Sequence, residues 1–395
     1  MPDTAYDIST LRNIILGSQH LLRRSTESIE DIVSDICGLQ YDPNPTIHLN
    51  QYIVLWNRKK DFKAEELDIA AYKEFKITEA WTFKRNMFFV PSNEYSLYRH
   101  ATMGIVRWGS SDKSWLDDGD SPEMREAEKE LKERLSKFDG LTLKQMWNEL
   151  GLADEWHRYR REHDYNYNLP LFRAFYRMCR RGDFLTCGRN PGTFREPVYI
   201  LKEKAGFSDW VNDPIDEKEA IKVIVEKLIA SFGITDPIHI SHLYGYKTAD
   251  ILPVFKELEA EKKIMKFPYK IGRKYYYIHY SKIPLLNEKT TDDCREVRLI
   301  SPMDTIVRDK AWLEAFFNYS FTFEYFKKKG MKWPLSILVG NQFVGYIDCK
   351  LEWNTKRFIV KEKNIFDSAF KDCKEIDSAI RELADFHGAK EIIEK

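Results

Sequence analysis

Apolar positions along the first half of the chain recur at three-to-four spacing and then give way to short alternating runs. Leu11, Ile14, Ile15, Leu21 and Leu22 form one stripe, which predicts a helix over about residues 8–20. A second helix is predicted from Ser28 to Leu39, opened by Ser28 with Asp31 in its first turn. Pro43 and Pro45 then break the pattern, and a third helix is predicted from about Thr46 to Asn57. Trp81–Pro91, with Phe83, Met87, Phe88 and Phe89, reads as a β-hairpin arm. Helices followed by a hairpin are the grammar of a winged helix, a helix-turn-helix variant.

That grammar returns twice. Glu123–Phe138, Thr142–Leu150 and Leu169–Arg181 are predicted helices before a hairpin at Asp183–Tyr199. Glu217–Phe232, Ile238–Tyr244 and Ala249–Lys262 precede two short strands in Lys266–His279. The three stretches share a pattern of elements, not a repeated sequence. After Leu285 the texture becomes β-rich, with strands predicted at Val297–Val307, Phe321–Tyr325, Leu335–Val339, Phe343–Leu351 and Phe358–Val360. A last amphipathic helix is predicted over Ile365–Phe386, with Gly388 as its stop signal. The fold class expected is therefore α+β: three tandem winged-helix units, a small β-rich domain and a C-terminal helix. The boundaries fall at 1–115, 116–210, 211–285, 286–360 and 361–395.

Composition narrows the function classes. The 395 residues include 62 Lys+Arg and 62 Asp+Glu, so net charge neither requires nor excludes a nucleic-acid partner; a local basic face decides. The start, Met1-Pro2-Asp3-Thr4, lacks the basic and apolar regions of a signal peptide, and no run reaches the length of a membrane span. An intracellular protein is the expectation. Cys37, Cys179, Cys187, Cys294, Cys349 and Cys373 form no CxxC pair, which argues against a zinc ribbon, an iron–sulfur cluster or a disulfide framework. His239 and His242 are three apart with no further ligand nearby, so no metal is expected. P-loop, dinucleotide-binding and GxSxG signatures are missing, so no nucleotide cofactor is expected either.

Local charge is more telling. Trp156–Arg189 carries eight arginines against Glu162, Asp164 and Asp183, with Trp156, Tyr159, Tyr165 and Tyr167 interleaved. Arg173, Arg177, Arg180 and Arg181 recur at helical spacing on the third helix of the second unit, the recognition position of a helix-turn-helix. The residues alone admit two readings: a phosphate-contacting face, or a solvated face paired with acids elsewhere. Lys327, Lys328, Lys329 and Lys332 form a second basic loop, open to the same two readings. Asp42, read alone, is a turn residue satisfying backbone amides. Its position between two helices of the expected winged-helix unit, where a side chain could meet DNA, beside His48 and the aromatic arm, opens a catalytic reading.

Gly38-Leu39-Gln40-Tyr41-Asp42-Pro43, followed by Tyr52-Ile53-Val54-Leu55-Trp56-Asn57-Arg58, resembles the signature of the AlkZ/YcaQ-type winged-helix DNA glycosylases. Trp81 to Phe89-Val90-Pro91 resembles the hairpin of that family. Leu299-Ile300-Ser301-Pro302-Met303-Asp304 resembles its C-terminal β-domain signature, with Arg308-Asp309, Phe316, Glu324-Tyr325, Pro334, Gly340, Gly345 and Asp348 following in order. The similarity spans about residues 8–360. Departures are Lys84 and Phe88, where Arg and His are frequent in the family, and Met303, Thr305, Arg308 and Lys310 within the β-domain signature.

The resemblance implies excision of alkylated, N7-linked purines from double-stranded DNA, including unhooking of interstrand crosslinks, in base-excision repair by a cytoplasmic, nucleoid-associated enzyme. It implies Asp42 as the base or electrostatic stabiliser and Gln40 as the water-positioning partner. DNA contacts would come from Trp81, Lys84 and Arg85 on the hairpin, from Arg58, from Arg173, Arg177 and Arg180, and from Lys328. The rival expectation is a non-catalytic winged-helix DNA-binding regulator in which Asp42 is only a turn residue. A protein-binding scaffold is the third.

Overall fold

Oxygen-bearing side chains sit where the helices begin. In the structure, a computed structural model that describes residues 7–42, 50–102, 121–154, 170–190, 196–205, 215–271, 274–287, 296–320 and 333–394, Asp7 caps the helix Ile8–Ser18 and Ser28 caps Ile29–Asp35. Ser121 caps Pro122–Leu135, and Thr142 with Gln145 closes a capping box on Leu143–Glu149. Each such oxygen satisfies an amide that the first helical turn leaves without a partner.

The second helix stops at Asp35, four residues before the expected Leu39. Cys37 and Gly38 take left-handed backbone angles, with φ of 55° and 97°, and a helix cannot run through them. Leu39–Gln40 consequently emerges as a short extended segment. The expected helix from Thr46 is described only as Asn50–Arg58, since 43–49 lie outside the described residues. Ala64–Tyr72 and Tyr95–Thr102 are helices that the pattern did not predict.

The chain divides into two compact units, residues 67–221 and residues 1–66 with 222–395. The 67–221 unit contains the aromatic hairpin, Ile77–Trp81 against Met87–Pro91, in register from Ile77↔Pro91 to Trp81↔Met87. It also holds the series Pro122–Leu135, Leu141–Thr142, Leu143–Glu149, Pro170–Arg181 and the hairpin Phe184–Arg189/Pro197–Leu201. The short strand pairs with the second hairpin strand at Leu141↔Tyr199. Met124, Leu131, Trp147, Phe175, Met178 and Phe184 fill the core beneath it.

The other unit repeats this order. The helix Glu217–Phe232, which enters this unit at Lys222, and then Ile234–Thr235, Pro237–Tyr244 and Thr248–Ala260 precede the hairpin Ile264–Ile271/Lys274–His279, with Ile234 opposite Ile278. Beyond it lies a five-stranded sheet, in the order Val297–Ile300, Pro334–Val339, Gln342–Glu352, Arg357–Ile365, Glu391–Glu394. Its strands run antiparallel except for the last pair, which is parallel.

Several expectations for this region are corrected. The first strand ends at Ile300 rather than Val307, because Asp304 caps a single 3-10 turn over Thr305–Val307. A helix over Lys310–Phe317, capped by Asp309, was not expected. The last helix begins at Lys374 rather than Ile365, since residues 361–365 continue a strand. Residues 391–394 form the parallel edge strand, so 361–395 is not a helix alone. Phe321–Tyr325 lies outside the described residues.

His239 belongs to the core. Its ring stacks on Trp312 with centroids 4.6 Å apart, and its Nδ1 lies 2.6 Å from Thr235 Oγ1. His242 instead meets Asp309, Nδ1 to Oδ2, at 3.1 Å. Burial pushes the His239 pKa down from 6.5 to about 3. Between those values the unfolded chain binds a proton that the folded chain refuses. Acid therefore destabilises the fold in that window, by up to about 1.4 kcal/mol per pH unit. The melting temperature is expected to fall from pH 7 to pH 4.5, and His239→Gln to flatten that fall. An identical slope in the variant would show that His239 does not carry the effect.

Candidate active site

The Gln40–Asp42 segment owes its placement to the helix Asn50–Arg58. This helix is buried along its whole length, polar residues included. Buried amides need partners, and its first turn finds them in the motif. Asn50 Nδ2 donates to the Gln40 carbonyl at 2.9 Å. The Asp42 N–H donates to Gln51 Oε1 at 3.4 Å. The backbone is thus held on both sides of Tyr41, with Gln40 only 8% exposed and Asp42 half-buried.

The far end of the same helix ties the motif to the segment 299–309. Asn57 Nδ2 donates to the Leu299 carbonyl at 2.8 Å, and Asn57 Oδ1 accepts from Leu299 N–H at 3.0 Å. Arg58 makes a two-point ion pair with Asp304, at 2.6 and 2.9 Å. It also donates to Gln19 Oε1 and to the Val54 carbonyl, each at 3.2 Å. Four residues beyond Asp304, Arg308 Nη1 donates to Gln40 Oε1 at 2.5 Å. Burial lowers the pKa of Arg308, and attraction to Tyr244 and Asp42 opposes that shift. The Gln40 carboxamide and the Arg308 guanidinium therefore meet, and the Asp42 charge is near enough to act on that guanidinium.

The carboxylate of Asp42 can accept a proton from a water and face developing positive charge. The Gln40 amide, with its oxygen taken by Arg308, offers N–H donors at its other end.

The expected DNA-contacting residues fare unevenly. Arg58 is corrected: it is 1% exposed and committed to Asp304, so it binds the protein's own loop rather than phosphate. Arg173, Arg177 and Arg180 are half-buried on the helix Pro170–Arg181. Arg177 Nε pairs with Glu128 Oε1 at 3.0 Å. Neighbouring Arg181 grips both Glu128 and Asp183. Part of this cationic face is thus neutralised within its own unit. Trp81, at the end of its strand, is 38% exposed. Lys84 stands in the tight turn of the hairpin with a left-handed φ of 52°. The Arg85 side chain, Lys328, His48 and the aromatic and arginine positions of 155–169 lie outside the described residues.

Sequence reasoning missed Asn50 and Gln51 as supports; the available signal was polar residues at apolar positions of a helix. Asp304 stood out only as part of the β-domain signature, and its pairing with Arg58 was missed. Among the described residues, His20, Glu27 and Asp35 are the one set close enough to share a cation, their ligand atoms lying within 4.8 Å of one another. His20 Nε2 and Asp35 Oδ2 lie 2.9 Å apart, a surface hydrogen bond.

With this geometry in hand, the comparisons give the class. The family model for DNA glycosylase AlkZ-like proteins matches residues 33–386, and the chain belongs to that family. It is an enzyme, a DNA glycosylase of DNA repair. Its fold is similar to that of the Streptomyces sahachiroi DNA glycosylase AlkZ, with a TM-score of 0.67 at 13% identity over 99% of this chain and 100% of that one. No helix among the described residues is long and apolar enough to cross a membrane.

Proposed function

We propose that the enzyme hydrolyses the N-glycosidic bond of N7-alkylated purines in duplex DNA, with Asp42 as base and electrostatic stabiliser and Gln40 as the partner that places the water. The observation carrying this reading is the half-buried Asp42 carboxylate, its backbone pinned by Gln51 and its neighbour Gln40 pinned by Asn50 and Arg308.

The chemistry needs little more. An N7-alkylated guanine already carries positive charge, so its C1′–N9 bond breaks with the electron pair moving onto the base, and no acid is required. The sugar passes through an oxocarbenium-like state, which a carboxylate stabilises. Water oxygen bonds to C1′, and its proton passes to Asp42. The products are the neutral alkylated base and an abasic site.

A crosslinked purine is tied to the opposite strand, which hinders full extrusion into a deep pocket. Unhooking of such crosslinks is part of the proposal, with flipping reserved for simple lesions. Trp81, Lys84, Arg85, Arg173, Arg177, Arg180 and Lys328 are proposed to hold the duplex, and the enzyme to act in the cytoplasm at the nucleoid.

The test is a duplex carrying one N7-methylguanine, incubated with the protein and then cleaved with alkali. Strand breakage at the lesion is the expected result. Intact strands from this duplex and also from an N7-crosslinked one would overturn the substrate assignment.

A further inference from the structure

We infer that Arg308 is a positioning residue for base removal: it holds the Gln40 side chain with its carbonyl oxygen turned inward, so that Gln40 meets the reacting water only as a hydrogen-bond donor. The inference rests on the reading of Gln40 and Asp42 as the reacting pair.

A carboxamide can rotate by half a turn at almost no steric cost, and the two orientations offer opposite hydrogen-bonding ends. Arginine removes that ambiguity. A guanidinium has donors only, so an amide facing it at 2.5 Å must present oxygen. The opposite orientation would set NH₂ against a cation. A charge-assisted bond of this kind is stronger than a neutral one, and here it forms around a Gln40 that is nearly withdrawn from water.

Arg308 is itself launched from a fixed segment. Four residues before it, Asp304 is locked by Arg58. One residue after it, Asp309 caps the helix Lys310–Phe317 through a 2.9 Å bond from the Trp312 N–H. The guanidinium is therefore anchored on both sides along the chain, and it transmits that placement to Gln40.

The consequence is directional. Gln40 donates to one lone pair of the water, Asp42 takes a proton from it, and the second lone pair is left to face C1′. With the amide reversed, Gln40 would instead compete with Asp42 for the proton.

A four-variant cycle tests this: wild type, Arg308→Met, Gln40→Ala and the double variant. The readouts are single-turnover base release at saturating enzyme and duplex affinity. Arg308→Met is expected to slow release by about ten- to hundredfold, with duplex affinity unaltered. It is expected to slow release no further once Gln40 is Ala, because the two act as a unit. Arg308→Lys keeps a donor without the planar fork and should fall between. If Arg308→Met fails to fold, the same cycle is read with Arg308→Lys.

Wild-type release in Arg308→Met, an equal loss in the Gln40→Ala background, or a loss confined to affinity would each overturn the inference. Asp42→Asn separates the levels. Full activity there removes the reading of the site and this inference with it. Inactivity there, beside an active Arg308→Met, removes the inference alone.

Discussion

Asp42→Asn is expected to lower the single-turnover release of N7-methylguanine by about 10²–10⁴-fold, the range typical of a lost general base, and to leave duplex affinity where it was. Asparagine has nearly the same shape as aspartate, so the backbone bond from Asp42 N–H to Gln51 Oε1 has no reason to change. In the proposed role, what goes is the negative charge that would face the oxocarbenium and the lone pair that would accept the water's proton. The loss should therefore sit in the chemical step rather than in binding. Asp42→Glu is the companion variant: it keeps the charge but extends it by one methylene, and should recover part of the rate. An Asp42→Asn enzyme with wild-type release would show that Asp42 is a turn residue after all. Loss of affinity in step with rate would instead make it a DNA contact.

Local features of this fold were readable from the sequence, and distant pairings were not. Ser28 and Thr142 announce their helices because a cap acts within three residues. The start of the last helix was misplaced because residues up to Ile365 belong to a strand whose partners are Gln342–Glu352 and the terminal Glu391–Glu394. The second of these partners lies beyond the helix itself, and pairing at that separation leaves no mark in the local pattern. The site divides in the same way. Gln40 and Asp42 stand in one short motif. The partner of Arg58, however, is 246 residues away, and that of Arg308 is 268 residues away. Arg58 at the end of a helix reads as an exposed cation until Asp304 is seen beside it. Arg308 was visible only as a position within the β-domain signature, and its meaning came from the Gln40 amide that it faces.

The Arg58–Asp304 pair should show the largest stability effect in the chain. Both side chains are 1% exposed, and two short bonds join them. Asp304→Asn leaves the Arg58 cation buried without a counter-charge, and Arg58→Met does the same to the Asp304 anion. Removing one partner of such a pair costs about 3–5 kcal/mol, so either variant should lower the melting temperature by many degrees. Added salt should rescue neither, because screening acts on exposed charges. The double variant Arg58→Met/Asp304→Leu removes both desolvated charges, and its stability should return much of the way toward wild type. Its activity should not return with it. Asp304 also accepts from the Ile306 N–H at 3.2 Å and so shapes the turn that leads to Arg308. A leucine there fills space but caps nothing. A stable double variant with impaired base release would separate the two duties of the pair, holding the fold and setting the loop that reaches Gln40. Single variants as stable as wild type would show that the pair anchors neither.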